Sequence, residues 1–100
     1  MEQGALTESV YYILLALDTP LHGYGIMQLV KEMSHNRVNL GPGTLYGAIN
    51  TLLSKQWIEL VGNDNRKKEY IITDFGRQAI EFEMRRLEEL LQNGKKVRGE

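Results

Sequence analysis

One stretch of this 100-residue chain combines small hydrogen-bonding side chains at helical spacing with a nearby basic triplet. At 3.6 residues per turn, a helix that starts near Pro42 would have an outer face made of Gly43, Gly47, Asn50, Thr51 and Ser54, with Thr44 and Tyr46 on its flanks. This face carries no carboxylate, and Arg66, Lys67 and Lys68 form the only contiguous basic triplet. Amides and hydroxyls form hydrogen bonds and lysines neutralise anions, so these residues predict binding of an anionic partner.

The remaining composition offers no support for enzymatic or metal chemistry. The chain has no cysteine, which removes disulfides, thiolate metal sites and cysteine nucleophiles together. His22 and His35 are the only histidines, and no carboxylate pair stands at ligand spacing from them. The glycines near Gly43 are not followed by the Gly-Lys-Ser/Thr of a phosphate loop, and no local nucleophile signature occurs. We therefore predict no catalytic residue, no metal and no cofactor.

The bulk properties are those of one folded domain. Hydrophobic residues make up 42% of the chain and charged residues 25%, which argues against global disorder. The longest apolar run, from Val10 to Leu17, is too short to span a bilayer, and the N-terminus lacks the pattern of a signal peptide. We therefore expect a cytoplasmic protein that makes no membrane contact. The net charge of -1 is unusual for a nucleic-acid binder, so the signal for such a partner is local to the triplet.

Hydrophobic periodicity and capping residues predict four helices and one hairpin. The first helix runs from about Glu8 to Asp18, a second opens at His22, and Pro42 begins a third. Residues 57–61 and 69–72 alternate like two strands around a turn at 62–65, and residues 38–40 predict a further short strand. Thr73 caps a last helix, which is expected to fray from about residue 93.

The first and last helices carry more apolar surface than an isolated helix tolerates. The run from Val10 to Leu17 leaves almost no polar face, so either a second subunit or the core of one chain must cover it. We favour the second subunit because the chain is short. Apolar residues of the last helix repeat at spacings of four, three and four, as in a heptad seam. These patterns predict a homodimer through Val10, Ile13, Leu14, Leu17, Ile80, Met84, Leu87 and Leu91.

A helix followed by a basic hairpin is the layout of a winged helix-turn-helix. That layout presents one helix to a DNA groove and one loop to the backbone beside it. The predicted fold is therefore mainly α with a small β-hairpin. Residues 1–73 would form a winged helix-turn-helix DNA-binding domain, and residues 74–100 a C-terminal dimerisation helix and a polar tail.

Three runs of sequence carry a resemblance to a known family. They read PLHGYGIMQ from Pro20, GPGTLYGAINTL from Gly41 and EYIITDFGRQAI from Glu69. Together they resemble the PadR family of bacterial transcription regulators over roughly Tyr11 to Leu91. The resemblance implies a homodimer held by its terminal helices, which represses transcription through operator DNA. In some members, a small molecule relieves the repression.

The resemblance also implies functional residues. Tyr24 stands in the HGYG motif, and residues 44–46 match the signature of the recognition helix. Many relatives have a basic residue at the position of Gly47. Here the helix backbone is instead expected to approach DNA closely, while the wing, which is the predicted basic hairpin, supplies positive charge. Taken together with the outer face of the third helix and the basic triplet, the expected DNA-binding residues are Tyr24, Gly43, Thr44, Tyr46, Gly47, Asn50, Thr51, Ser54, Arg66, Lys67 and Lys68.

Two further expectations concern partners other than DNA. An effector site would lie between subunits or between the DNA-reading domain and the C-terminal helix. Its walls would come from Tyr11, Tyr12, Trp57, Phe82 and Met84, although these side chains are equally explained as filled core. The alternative function is a winged-helix module for protein contact, which the acidic balance suits. Retention on duplex DNA as a function of salt separates the two functions.

Overall fold

A computed structural model describes residues 3–64 and 67–100 of the chain. Its elements, in chain order, are α1 (Glu8–Ala16), β1 (Leu21–His22), α2 (Gly23–Met33), α3 (Pro42–Ser54), β2 (Ile58–Asp64), β3 (Lys67–Ile72) and α4 (Asp74–Arg98). The strands form one antiparallel sheet in the order β1-β3-β2. The predicted fold class, mainly α with a small β-hairpin, is confirmed.

The helices begin where the capping residues predict. The Thr7 hydroxyl accepts a hydrogen bond from the Val10 N–H at 3.1 Å, and the Thr73 hydroxyl accepts one from the Gly76 N–H at 3.1 Å. Each bond satisfies a backbone donor that has no partner inside its own helix. Pro42 occupies the first turn of α3, where its missing N–H costs nothing.

The link between α2 and α3 is not the short strand predicted at residues 38–40. α2 ends before His35 and Asn36, whose φ angles are 51° and 66°. The Ser34 hydroxyl then accepts a hydrogen bond from the Val38 N–H at 2.9 Å, and the Val38 side chain is buried. This N–H is therefore satisfied locally, and β1 occupies the edge of β3 instead.

The two strands of the wing, β2 and β3, are longer than the sequence predicts. Residues 62–64, predicted as turn, pair in the ladder with residues 69–67. The register shifts between Leu60 and Gly62, which is the mark of a β-bulge. One extra residue in β2 is accommodated there, and the ladder resumes beyond it. Asn65 and Arg66 lie outside the described residues.

α1 lies in the centre of the core. Ile13, Leu14 and Leu17 are fully buried within a single chain, where α2 and α4 pack against α1. The expectation that these three residues form a dimer interface is therefore wrong, because the chain's own helices already cover them. Val10 and Ile80 are partly buried against the same core, so much of their apolar surface is also used within one chain.

α4 is anchored along its first turns only. Gly76, Ala79 and Glu83 are its buried residues. A Cβ at Gly76 would collide with the Trp57 carbonyl oxygen, so only glycine allows this helix to pack so closely. Beyond Glu83, every residue of α4 except the half-buried Arg86 is exposed.

The prediction that the last helix frays from about residue 93 is wrong. The helix continues to Arg98, and Gly99 closes it with a left-handed conformation at φ 77°. Lys95, Lys96 and Arg98 stand in the last turn, where cations interact favourably with the helix dipole. Capping and charge thus outweigh the helix-weakening effect of Gly94.

Candidate nucleic-acid interface

α3 buries one face and exposes the other. Leu45, Ile49 and Leu52 are buried in the core. The outer face and flanks that the sequence predicted are all exposed, namely Gly43, Thr44, Tyr46, Gly47, Asn50, Thr51 and Ser54. α3 contains no charged side chain. The exposed face is therefore limited to backbone, hydroxyl, amide and phenol groups.

Two glycines on this face are not explained by the fold. An ideal Cβ at Gly43 or Gly47 would have no heavy atom within 4 Å. Neither residue has a positive φ, so side-chain-bearing residues are sterically and conformationally allowed at both positions. Glycine inside a helix costs about 0.5–1 kcal/mol relative to alanine. Their presence leaves the backbone of α3 open to close approach from outside.

The polar side chains of the exposed face differ in what they can offer a partner. The Thr51 hydroxyl donates its hydrogen to the Gly47 carbonyl oxygen at 3.2 Å. It therefore offers a partner only an acceptor oxygen unless this bond breaks. An asparagine amide has both donors and an acceptor, and Asn50 is exposed, so it is the most versatile group of this face.

Tyr46 connects α3 to the start of α2. A Cβ at Gly23 would lie 2.9 Å from Cζ of Tyr46 and closer still to its hydroxyl oxygen, so the phenol ring lies directly over this glycine. The absence of a side chain at Gly23 thus creates the space that Tyr46 occupies. HGYG and TLY, separate in sequence, become one surface through this contact.

A groove brings that surface together with the wing. It has a volume of about 380 Å³ and is lined by His22, Gly23, Tyr24, Tyr46, Lys67, Lys68 and Tyr70. Four of the predicted DNA-binding residues, Tyr24, Tyr46, Lys67 and Lys68, therefore meet at one place. Arg66, the remaining basic residue of the triplet, lies outside the described residues.

His22, Gly23 and Tyr70 also line the groove, although they are not among the residues that the sequence predicts. Nδ1 of His22 accepts a hydrogen bond from the Gly25 N–H at 3.3 Å, which makes His22 the N-cap of α2. In the neutral ring this bond places the proton on Nε2, which is then a hydrogen-bond donor. Tyr70 is buried, and its pKa is raised above 10 by burial and then by the neighbouring Tyr46. The HGYG motif was a signal for His22, but only the sheet register places Tyr70 here.

The described residues hold neither of two other kinds of site. Residues 3–64 and 67–100 contain no group of three or more His, Asp or Glu that could hold a metal ion. No helix within the same ranges is both long and apolar enough to cross a membrane.

The sequence itself decides the family. Residues 12–82 match the transcriptional regulator PadR-like family. The chain belongs to this family. Members of the family are described as transcriptional regulators.

One curated protein is also similar to this chain in sequence. An uncharacterized 37.1 kDa protein in transposon TN4556 of Streptomyces fradiae is 40% identical over 72 residues, which cover 71% of this chain and 20% of that protein. The PadR-family chain thus spans about a fifth of the length of this curated relative.

Solved structures share the fold. A PadR family transcriptional regulator from Eggerthella lenta matches with a TM-score of 0.69 at 22% identity. The match covers 88% of this chain and 79% of the Eggerthella lenta chain. The winged-helix DNA-binding protein F93 from STIV has a TM-score of 0.59 at 17% identity, with coverages of 90% and 87%. These likenesses establish a winged-helix fold for the PadR-family chain.

The predicted walls of an effector site do not meet in one cavity. Trp57 and Phe82 line an open cavity of about 790 Å³ between residues 3–6 and α4. Tyr11 and Tyr12 do not line it and instead pack edge to face against each other, with ring centroids 6.3 Å apart. Met84 is exposed on α4. Of these five residues, Trp57 and Phe82 are therefore the two that share this cavity.

Proposed function

We propose that this PadR-family protein binds pseudo-palindromic operator DNA as a homodimer and represses transcription. The observation that carries the proposal is the exposed, uncharged outer face of α3 beside the groove that holds the wing lysines. A helix face of this kind can enter a major groove without electrostatic repulsion. The adjacent lysines neutralise the phosphates that flank the groove.

The proposed roles divide between base edges and backbone. Asn50 and Thr51 stand on the outer face of α3, where an amide and an acceptor oxygen can contact base edges. Lys67 and Lys68 are exposed at the start of β3 and are suited to phosphate. Tyr24 and Tyr46 line the groove between these two sets and offer hydroxyls to the sugar-phosphate backbone.

Support for the homodimer comes from the far half of α4. This helix has 25 residues, about 37 Å at 1.5 Å per residue. The face that is buried at Glu83 continues at spacings of four and seven to Leu87 and Leu90, which are 42% and 53% exposed. Leu91 also lies exposed near this face. The face that packs inside the chain thus runs on without cover, and we propose that a second copy of α4 covers it.

Two-fold symmetry then determines the form of the operator. Two copies of α3 related by a dyad read the same sequence on opposite strands. Half-sites are expected about 34–36 Å apart, one helical turn, or a multiple of it. Repression follows when the bound dimer blocks access to the promoter.

An effector would act through the geometry of this dimer. We place its site in the cavity lined by Trp57 and Phe82, because that cavity adjoins α4 and the end of α3. A ligand relieves repression only if it binds the DNA-bound and free geometries with different affinities. Titration followed by Trp57 fluorescence, with and without operator, measures this difference directly.

Selection of bound duplexes from random DNA, followed by base-level footprinting, tests the proposed function. We expect enrichment of an inverted repeat and two protected half-sites on the same side of the duplex. Retention of the protein on that duplex should fall steeply with salt. No enrichment, together with salt-independent retention, would contradict DNA binding and leave the protein-contact module as the function.

Asn50→Ala is expected to reduce sequence discrimination more than total DNA affinity. A good bidentate contact to a base contributes about 1–3 kcal/mol of discrimination, and the dimer would lose it in both half-sites. Alanine has a higher helix propensity than asparagine, so the variant should remain folded. Fluorescence anisotropy with operator and scrambled duplexes measures both affinities. Equal losses on the two duplexes would show that Asn50 does not read bases.

Lys67→Ala is expected to weaken operator and random DNA alike. Each phosphate contact contributes about -0.9 to the slope of log K against log salt, so the dimer should lose about two units of slope. Binding isotherms at several salt concentrations give the slope. Lys96→Ala, which removes an exposed lysine near the end of α4, is the matched control and should leave the slope unchanged. A slope equal to that of wild type in Lys67→Ala would place the wing away from DNA.

A further inference from the structure

The N-terminal segment, residues 3–7, is tied to α4 by two hydrogen bonds. Nε2 of Gln3 donates to the Ala79 carbonyl oxygen at 3.0 Å. The Leu6 N–H donates to Oε1 of Glu83 at 3.3 Å. Ala79 and Glu83 are four residues apart on α4, so the segment follows the helix for about one turn.

The same segment borders α3 on its other side. Residues 5–7 share a cavity of about 300 Å³ with Gly47, Ala48, Thr51 and Lys55 of α3 and its end. The Leu6 side chain is half-buried and packs against the core. α4 packs mainly on α1 and β3. The N-terminal segment therefore lies between α4, to which it is hydrogen-bonded, and the part of α3 with which it shares a cavity.

Glu83 holds this segment through the Leu6 N–H. Its side chain is 3% exposed and accepts two hydrogen bonds from Arg86, at 2.9 Å from Nε and 2.5 Å from Nη2. The Arg86 hydrogen bonds hold the pKa of Glu83 below its ordinary 4.5, and the Leu6 N–H acts in the same direction, while burial acts against them. At neutral pH Glu83 is thus a buried carboxylate held by three N–H donors.

The place of Glu83 along the helix gives this arrangement its significance. It is the last buried residue of α4, and Leu87 of the proposed dimer seam follows four residues later. The carboxylate therefore lies where the helix leaves the rest of the chain. A small change in helix direction at this point is carried along the exposed turns that follow.

We propose that Glu83 is a positioning residue that sets the direction of α4 relative to α3 through the N-terminal segment, and thereby selects the spacing of operator half-sites. The inference rests on the proposed function, because it requires a dimer with two recognition helices. With the Glu83–Leu6 hydrogen bond intact, the two copies of α3 are held at one separation. Without it, we expect the dimer to accept several separations.

Duplexes that carry two copies of the selected half-site at a series of spacings test the inference. Wild type should prefer one spacing. In Glu83→Ala the preference for the best spacing over neighbouring ones should fall by about fivefold or more, the lower end of coupling between linked sites. Affinity for a duplex with a single half-site should stay within twofold of wild type. Circular dichroism at the assay temperature establishes that the variant is folded.

Two further variants make the result specific. Glu83→Gln keeps an oxygen that can accept from the Leu6 N–H, and it should retain more of the spacing preference than Glu83→Ala. Glu89→Ala removes an exposed carboxylate from the same helix and should behave as wild type. If Glu83→Ala does not fold, two separate variants take its place, Glu83→Gln and a deletion of residues 1–5. The deletion should broaden the range of half-site spacings that the dimer accepts.

The possible outcomes distinguish failure of this inference from failure of the proposed function on which it rests. A spacing preference unchanged in folded Glu83→Ala overturns the inference and leaves operator binding intact. An equal loss on single half-sites and on paired ones also overturns it, because that pattern reflects general destabilisation. No specific DNA binding by wild type removes the proposed function itself, and the inference with it.

Discussion

Leu87→Asp is expected to convert the protein from dimer to monomer and to remove most of its affinity for operator. Leu87 is 42% exposed in one chain and continues the buried face of α4. Burial of a leucine side chain stabilises by about 1.5–3 kcal/mol, and two-fold symmetry repeats each seam contact. A carboxylate in this seam loses that energy and must also be desolvated.

Loss of the dimer should affect operator binding more than any single contact does. Two linked half-site contacts exceed the affinity of one by about 10²–10⁴-fold, and a monomer forfeits this gain. Sedimentation at tens of micromolar gives the oligomeric state, and anisotropy gives the affinity.

Asn93→Asp is the matched control for Leu87→Asp. It adds the same charge at an exposed position of α4 that is turned about 120° away from Leu87 on a helical projection. We expect a dimer with nearly normal affinity. A wild-type chain that sediments as a monomer at these concentrations would rule out the seam. Dimeric Leu87→Asp would show that the interface lies elsewhere on the chain.

Gly47→Ala is expected to stabilise the protein and weaken its binding to DNA. A Cβ at Gly47 meets no atom of the chain within 4 Å, so the methyl group fits without strain. Replacing this helical glycine should raise the free energy of unfolding by about 0.5–1 kcal/mol. In a domain of this size, 1 kcal/mol corresponds to about 4–8 °C in Tm.

The same methyl group would stand on the outer face of α3. If the backbone of this helix approaches DNA at Gly47, the added atom forces the surfaces apart. We expect the affinity for operator to fall about tenfold, equivalent to about 1.4 kcal/mol. When both are measured on the same preparation, the Tm should therefore rise and the operator affinity obtained from anisotropy should fall.

Asn93→Ala is the matched control for Gly47→Ala. It also raises helix propensity at an exposed position, but on α4 rather than α3. Stability should rise slightly, and DNA affinity should not change. Gly47→Ala with a higher Tm and unchanged affinity would show that α3 does not approach DNA closely at this residue.

Much of the fold could be predicted from local patterns because its causes are local. Thr7 and Thr73 cap helices through bonds that reach only three residues along the chain. The period of 3.6 residues divides α3 into a buried face and an exposed one, whichever element covers the buried face. The candidate site was predictable to the same extent, since the exposed residues of α3 follow from that period.

Other features depend on contacts between distant parts of the chain. The separation of residues 38–40 from the sheet depends on the Ser34 hydroxyl and on β1, which pairs with β3 almost fifty residues later. The groove exists because Tyr46 lies over Gly23 and the wing stands beside both. No spacing within one segment contains this information.

The sequence by itself therefore determined the helices, the hairpin, the exposed face of α3 and the family. Only the tertiary structure decided which apolar surfaces remain free. Ile13, Leu14 and Leu17 looked like an interface and are core, whereas Leu87 and Leu91 remain exposed. It also decided that Glu83, one carboxylate among several on α4, is the buried one. The physical reason is that a surface is buried only when a second surface covers it, whereas a periodic sequence pattern describes one surface alone.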